Sequence, residues 1–436
     1  MGFQRQLVLF IMAFMNFSYE HKAIAQWPPY NSIVSQVTKH TDPTNNKPLY
    51  SVEIMTKYFW GDFIHTNFLI DIDTPFIWYD CILNYDSNPT ENYTCPSKTV
   101  CADPVSCGEP ECRDIQTSSS YKQYSSSCPP ATNSLTLPGW SGCTCPVSIV
   151  DPINGSCGEG LLGISELYFE VPFFEGLFPN TLCAPSSTFD LFPANVSGVM
   201  GLSTSAYALP SHSVTNGVFP RAFSLCLPSS VSKTGVFFLG SSSYYFSPHS
   251  KVDVTSYLSY TPLLNHSDSF GYFIGVKSIV IKKRAINVPT NTTTKLSTLE
   301  PYTILRSDIY NQVVRRFLKV TRELTMAKPV APFDFCYEAS TNGTKVGLKV
   351  PDIDFSLEDG KKWTVHTANS MKQVTKDVAC LAFVEGGATS EHGIVIGTHQ
   401  MEDNFLKFDL VNWTLGFSSS LLTKGTSCAS FNSVNH

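Results

Sequence analysis

Apolar residues in this chain recur mainly with a period of two. Tyr50-Ser51-Val52-Glu53-Ile54, Phe68-Leu69-Ile70-Asp71-Ile72, Val236-Phe237-Phe238-Leu239 and Phe273-Ile274-Gly275-Val276 are β-branched and aromatic runs bounded by Gly, Pro, Asn and Ser. Successive strand side chains point to opposite faces, so such runs predict many short strands, each with one face toward a core. Aromatic residues at 13% and 28 prolines fit an all-β chain. Helical signals are few. Ser307 is placed to cap a helix whose Ile309, Val313, Phe317 and Val320 fall at spacings of four, four and three. With 436 residues, 42% hydrophobic and 15% charged, the chain is globular and long enough for two domains. A net charge of −6 indicates no basic face, which argues against a nucleic-acid partner.

Residues 1–25 read as an export signal. Arg5 supplies the charge, Leu7 to Met15 the apolar run, and Ala23-Ile24-Ala25 the small residues before a cut at Gln26. The run is too short to span a bilayer, and no later stretch reads as a membrane span. The expected product is therefore secreted and extracellular, with no membrane partner. Fourteen cysteines agree with an oxidising compartment. Seven of the nine between Cys81 and Cys157 crowd into residues 95–145, within a Ser-, Pro- and Cys-rich excursion over 86–147. Their spacings lack paired C-x2-C knuckles and no His lies nearby, so a disulfide-stapled insertion is expected over 82–160, with pairing left open, and no metal site. Past the export signal, seven Asn-X-Ser/Thr sequons, at Asn92, Asn154, Asn195, Asn265, Asn291, Asn342 and Asn412, are candidate glycosylation sites.

A faint duplication organises the rest. Asp71 lies in an apolar strand, and "GVMGLS" (198–203) follows roughly 130 positions later. Ser297 lies in a comparable strand, and "GIVIGT" (393–398) follows roughly 100 positions later. Two lobes built alike, 26–240 and 241–436 with a break near Gly240, would bring the two turn-bearing strands face to face. "GEGLLG" (158–163) matches a dinucleotide-binding fingerprint, but the next eight residues alternate like a strand, so a β-turn is expected there and no cofactor. No His-Glu-x-x-His or Gly-x-Ser-x-Gly is present.

"FLIDIDTPFIWYDC" (68–81) resembles the active-site strand of the pepsin-like aspartic proteases, with Asp71-Ile72-Asp73-Thr74 where that family has Asp-Thr-Gly-Ser. "LFPANVSGVMGLSTSAYALPSHS" (191–213), "STLEPYTILRSDIY" (297–310), "APFDFCYEA" (331–339) and "GIVIGTHQMEDNFLKFDLVNWTLGFSSSLL" (393–422) are similar to the secreted pepsin-fold proteins of plants. That family includes extracellular dermal glycoprotein, the xyloglucanase-inhibiting proteins, the wheat xylanase inhibitors, nectarin and the seed basic globulins. The resemblance implies an all-β, bilobal pepsin-like fold with a few short helices, and a protein that in most relatives is not a protease. Several relatives bind microbial glycoside hydrolases and block them.

Aspartic proteolysis needs one carboxylate from each lobe, about 3 Å apart and sharing a proton. By resemblance Asp71 holds the first position and Ser297 the second. A serine hydroxyl has no pKa near working pH and cannot be the partner acid or base. The glycine expected two residues after each aspartate is replaced by Asp73 and Leu299, and Glu300 follows. Asp73 and Glu300 are the only nearby replacements for the missing acid. Asp71 is then expected to be a buried, hydrogen-bonded remnant tying the two central turns together.

An inhibitor of a glycosidase would present a cation, amide or imidazole to the enzyme's two carboxylates. The resemblance places such a loop near "EGGATSEHG" (385–393), where this chain carries Glu391 and His392. Arg322, after the helix, is a further contact candidate. The expected function is inhibition of a secreted xylanase or xyloglucanase in plant defence, in the apoplast or cell wall. The alternatives are a storage or ligand-binding glycoprotein of the basic globulin type and an active aspartic protease. The sequence carries no sign of oligomeric state.

Overall fold

The alternating runs pair as the period of two requires. The computed structural model describes residues 32–42, 47–59, 62–84, 100–135, 137, 140–169, 175–215, 219–240, 244, 253–339 and 348–431, with some side chains within these ranges left aside. The export signal, Asn92 and Asn342 lie outside the described residues. Strands β1 (Ser32–Thr41), β2 (Pro48–Phe59) and β3 (Asp62–Asp71) form an antiparallel meander. β4 (Val196–Gly201) lies parallel to β3. β5 (Ala222–Cys226) and β6 (Gly235–Gly240) form a hairpin, and β6 closes back on β1. β5 then pairs with β9 (Phe405–Asp409), which pairs with β10 (Thr414–Phe417). One run of ladders thus crosses between the two halves of the chain. In the second half, β7 (Thr294–Leu296) lies parallel to β8 (Ile394–Ile396). Two further four-stranded sheets complete that half. This is an all-β, bilobal pepsin-like architecture with short helices.

The core is rich in aromatic residues. Tyr50, Phe68, Trp78, Phe223, Phe237 and Trp363 are fully buried. Phe223 stacks on Phe408 at 4.5 Å, where β5 meets β9. Disulfides join Cys81–Cys183, Cys107–Cys143, Cys112–Cys145, Cys128–Cys157, Cys226–Cys428 and Cys336–Cys380. Three of these staple the excursion internally or to the strand that follows it.

The local structure departs from the sequence reading in three places. "GEGLLG" is not a turn. It lies inside the strand Cys157–Ile164, which pairs with Pro146–Val150. Its glycines serve close packing: a Cβ on Gly163 would lie 2.6 Å from the Leu83 side chain and 2.8 Å from the Asp103 carbonyl oxygen. Ser307 is not a cap. It is the first helical residue of Ser307–Val320, behind Arg306, and no side chain caps that end. Arg306 instead forms a forked ion pair with Asp308, at 2.8 and 3.0 Å, in the first turn. The buried face of this helix does carry Ile309, Val313 and Phe317. Third, the excursion contains two helices, α1 (Pro110–Thr117) and α2 (Ser119–Tyr124). Proline opens α1, where its missing N–H costs nothing. We label the later helix Ser307–Val320 α3.

Candidate functional site

The two turn-bearing strands are built alike. β3 ends at Asp71, opposite Gly201 of β4, and Leu202 N–H donates to the Asp71 carbonyl at 2.9 Å. β7 is followed by Ser297, whose N–H donates to Ile396 of β8 at 3.0 Å. Gly201 and Gly397 occupy matching places because the chain doubles back against them. A Cβ would lie 2.2 Å from the Phe76 carbonyl oxygen in one case and 2.5 Å from the Tyr302 backbone in the other.

Thr298 joins the two turns. Its hydroxyl donates to the Ile70 carbonyl at 2.9 Å and accepts from Ile72 N–H at 3.3 Å. The corresponding side chain of the first turn is Ile72, buried and apolar, so no bond returns. The expectation that Asp71 ties the turns is corrected here. Its Oδ1 accepts from Asp73 N–H at 2.8 Å, within its own turn. Sequence reasoning missed Thr298, whose partners are backbone atoms more than two hundred positions away.

Asp71 is 4% exposed. Burial, then the neighbouring Asp73 charge, pushes its carboxyl up to about 7, against the opposing pull of the Asp73 amide and Lys295. Ser297 is also buried, and its Oγ accepts from Leu299 N–H at 3.2 Å and Glu300 N–H at 3.1 Å. That hydroxyl is occupied in shaping its own turn. Asp73 is engaged as well: it forms a 2.6 Å ion pair with Lys295 of β7 and lies across Gly271, where a Cβ would meet its Oδ1 at 2.2 Å.

The stapled excursion covers the first turn. The Tyr124 and Thr74 hydroxyls share a 2.7 Å hydrogen bond. Tyr121, one turn earlier on α2, stacks on Phe76 at 5.2 Å, contacts Phe270 at 5.0 Å, and shares a 2.8 Å hydrogen bond with Ser205. Cys112–Cys145 and Cys128–Cys157 anchor the chain on either side of α2. Burial raises the Tyr124 hydroxyl well above the ordinary tyrosine range, with Asp71 as the next cause, so it stays a neutral hydrogen-bonding group.

The loop 386–392 begins after the strand Phe383–Glu385 and is fixed to the start of α3, where Ser307 N–H donates to Gly387 at 3.2 Å. Its tip is exposed, Glu391 included. His392 is not at the tip. It is half-buried, shares a 2.9 Å hydrogen bond with Thr293, and sets its ring against Phe273 at 5.4 Å. Burial, then the Lys295 charge, holds its imidazole below the usual range, with Glu391 and Asp73 acting in the opposite sense. His392, Glu391, Lys295 and Asp73 are thus electrostatic neighbours. Arg322 is exposed but lies past the other end of α3, a 14-residue helix about 20 Å long. The structure therefore does not bring Arg322 into the loop's neighbourhood. The five described sequon asparagines, Asn154, Asn195, Asn265, Asn291 and Asn412, are all exposed.

Comparison with known proteins agrees with this geometry. Residues 61–241 match the family model described as xylanase inhibitor N-terminal, and residues 271–419 the model described as xylanase inhibitor C-terminal. The chain is 36% identical to gamma conglutin 1 of Prunus dulcis over 74% of this chain and 80% of the relative. It is 33% identical to a probable aspartic proteinase, GIP2, of Nicotiana benthamiana over 83% and 84%. The crystal structure of EDGP superposes with a TM-score of 0.75 at 30% identity, covering 92% of this chain and 98% of that one. Conglutin gamma from lupine seeds shares the fold, with a TM-score of 0.73. Two matching halves of one family, together spanning both turn-bearing strands, show that this chain belongs to the xylanase-inhibitor family of pepsin-like proteins.

Proposed function

We propose that the protein is a secreted, catalytically inactive pepsin-fold glycoprotein that binds and blocks a cell-wall glycoside hydrolase of the xylanase or xyloglucanase class. The observation that carries the loss of catalysis is the pair of central turns. One buried carboxyl, Asp71, faces a second turn whose equivalent side chain is the Ser297 hydroxyl, already accepting two backbone N–H groups. General acid–base hydrolysis needs two ionisable groups with separated roles. Asp73, the nearest replacement, is bound to Lys295. The α2 cover over Thr74 narrows access further.

The family model supports a protein partner, and the exposed loop 386–391 with Glu391 and His392 at its end is the proposed contact. Arg322 would serve only as a separate, second contact. The export signal and sequons read from the sequence support an apoplastic or cell-wall location. Purified protein should leave denatured polypeptide uncut between pH 3 and 6 and should inhibit a microbial xylanase or xyloglucanase, with inhibition lost on His392→Ala. Digestion that pepstatin stops would overturn the inactive assignment. A second reading, a storage or ligand-binding glycoprotein, draws on the identity to gamma conglutin 1. Abundant accumulation in a storage tissue, with none of the hydrolases inhibited, would select it.

A further inference from the structure

A polar pocket of about 290 Å³ opens between the tip of the hairpin 146–164 and the short 3-10 turn Ser186–Phe189. It lies far along the fold from the paired turns in sequence and shares no residue with them. Asp151, Asn154, Ser156, Ser187, Thr188 and Leu191 line it, together with the strand residues Ile149, Cys157 and Gly158. Its volume is at the small end of ligand sites, the scale of one monosaccharide. Hydroxyls and a carboxylate supply hydrogen-bond partners for sugar hydroxyls. Leu191, 44% exposed at the rim, supplies an apolar surface.

One of the lining residues is itself a sequon asparagine. Its amide is held in a defined orientation: Asn154 Oδ1 accepts from Ser156 N–H at 2.7 Å, and the buried Asp151 lines the same pocket. Oδ1 is the acceptor of that bond, so Nδ2, the atom that takes an N-linked sugar, lies outside it. The hairpin tip is itself ordered. Asp151 Oδ1 accepts from Ile153 N–H at 2.7 Å, and Asp151 N–H donates to the Ser156 carbonyl at 2.8 Å. The opposite wall is anchored too, because Phe189 packs on Trp78 at 5.3 Å.

We propose that this pocket seats the first N-acetylglucosamine of the chain's own N-glycan, carried on Asn154. The seated sugar bridges the hairpin tip to the turn Ser186–Phe189 and covers the exposed Cys157 end of the Cys128–Cys157 disulfide. The ligand is thus an intramolecular saccharide, and the site is a clamp rather than a receptor for free sugar.

The test uses the full glycoprotein from a eukaryotic secretory host. An endoglycosidase that leaves one N-acetylglucosamine on each site is applied to wild type, Asn154→Gln and Ser156→Ala. The second variant destroys the sequon but keeps Asn154, whose partner Ser156 N–H is backbone. Hydrogen exchange across residues 186–191 should be unchanged between intact and trimmed wild type, and about fivefold faster in both variants. Reduction of Cys128–Cys157 by a small dithiol should accelerate in the same two variants. Three results would each overturn the proposal: Asn154 found bare by mass spectrometry, trimmed wild type behaving like the variants, or all forms exchanging alike.

Discussion

Thr298 reaches across 228 positions of sequence to hydrogen-bond the backbone at Ile70, and Ile72 has no hydroxyl with which to answer. The contact between the two central turns is therefore one-sided. Thr298→Val keeps the shape of the side chain but leaves the Ile70 carbonyl and the Ile72 amide without their buried partner. The expected cost is about 1–3 kcal/mol in chemical denaturation. Thr298→Ser should retain most of the stability, since it keeps the hydroxyl.

Asp71 makes stability depend on pH in an identifiable direction. Its folded carboxyl sits near 7, above the ordinary 3.8. The folded state thus holds a proton that the unfolded chain releases, so this contribution is complete below about pH 4 and is lost as pH rises through 7. Asp71→Asn removes the ionisation. Relative to wild type, the variant should gain roughly 2–4 kcal/mol at pH 8 and nothing at pH 4. Guanidinium denaturation at pH 4, 6 and 8 measures the difference. Equal slopes with pH for the two proteins would show that the folded Asp71 carboxyl is not raised above its unfolded value.

The strand framework was legible because alternation and sheet burial obey the same period. Asp71, Ser297 and the two Gly-ended strands could be paired from the sequence because a repeated turn needs a repeated close approach, which glycine marks. Thr298 was not legible, since a hydroxyl beside a serine has no periodic signature and its partner is a backbone atom of the other lobe. The α2 cover was hidden for a related reason. Tyr121 and Tyr124 lie among serines in a short helix, stabilised by disulfides and by aromatic packing on Phe76 rather than by amphipathic spacing. The sequence places His392 in a loop, whereas Phe273 and Thr293, distant in sequence, determine that it is half-buried.

A buried charge cluster joins the first strands to the C-terminal half. Lys39 of β1 lies 2.6 Å from Glu402, and Tyr50 of β2 donates to the same oxygen at 2.8 Å. Burial alone would raise the Glu402 carboxyl, but His399, Lys39 and Lys372 outweigh it and hold it down at about 2. A depressed carboxyl contributes stability that is present above its unfolded value near 4.5 and is lost as pH falls through 2. Glu402→Gln leaves Lys39 buried without its counter-charge and should cost about 3–5 kcal/mol at neutral pH. Its acid-denaturation curve should be flatter than that of wild type. Thermal unfolding at pH 7 and pH 3 tests both statements.

On the proposed loss of catalysis, Ser297→Asp asks whether a second acid is all that separates this fold from a protease. The new carboxyl would enter a buried turn facing Asp71, which already feels Asp73 and lies in a desolvated site. Two carboxyls there must share a proton, so the substitution should cost about 1–3 kcal/mol and shift the greatest stability toward acid. Tyr124 would still be bonded to Thr74 and Asp73 to Lys295, so the first turn stays covered. The variant should therefore not cut denatured casein between pH 3 and 6. Combining it with Tyr124→Phe and Asp73→Gly removes the cover's hydrogen bond and the intruding charge. If the single variant already cleaves, with pepstatin as inhibitor, the α2 cover is no barrier and the scaffold lacks only one carboxyl. If only the triple variant cleaves, the excursion and Asp73 are the further obstacles that the geometry indicates.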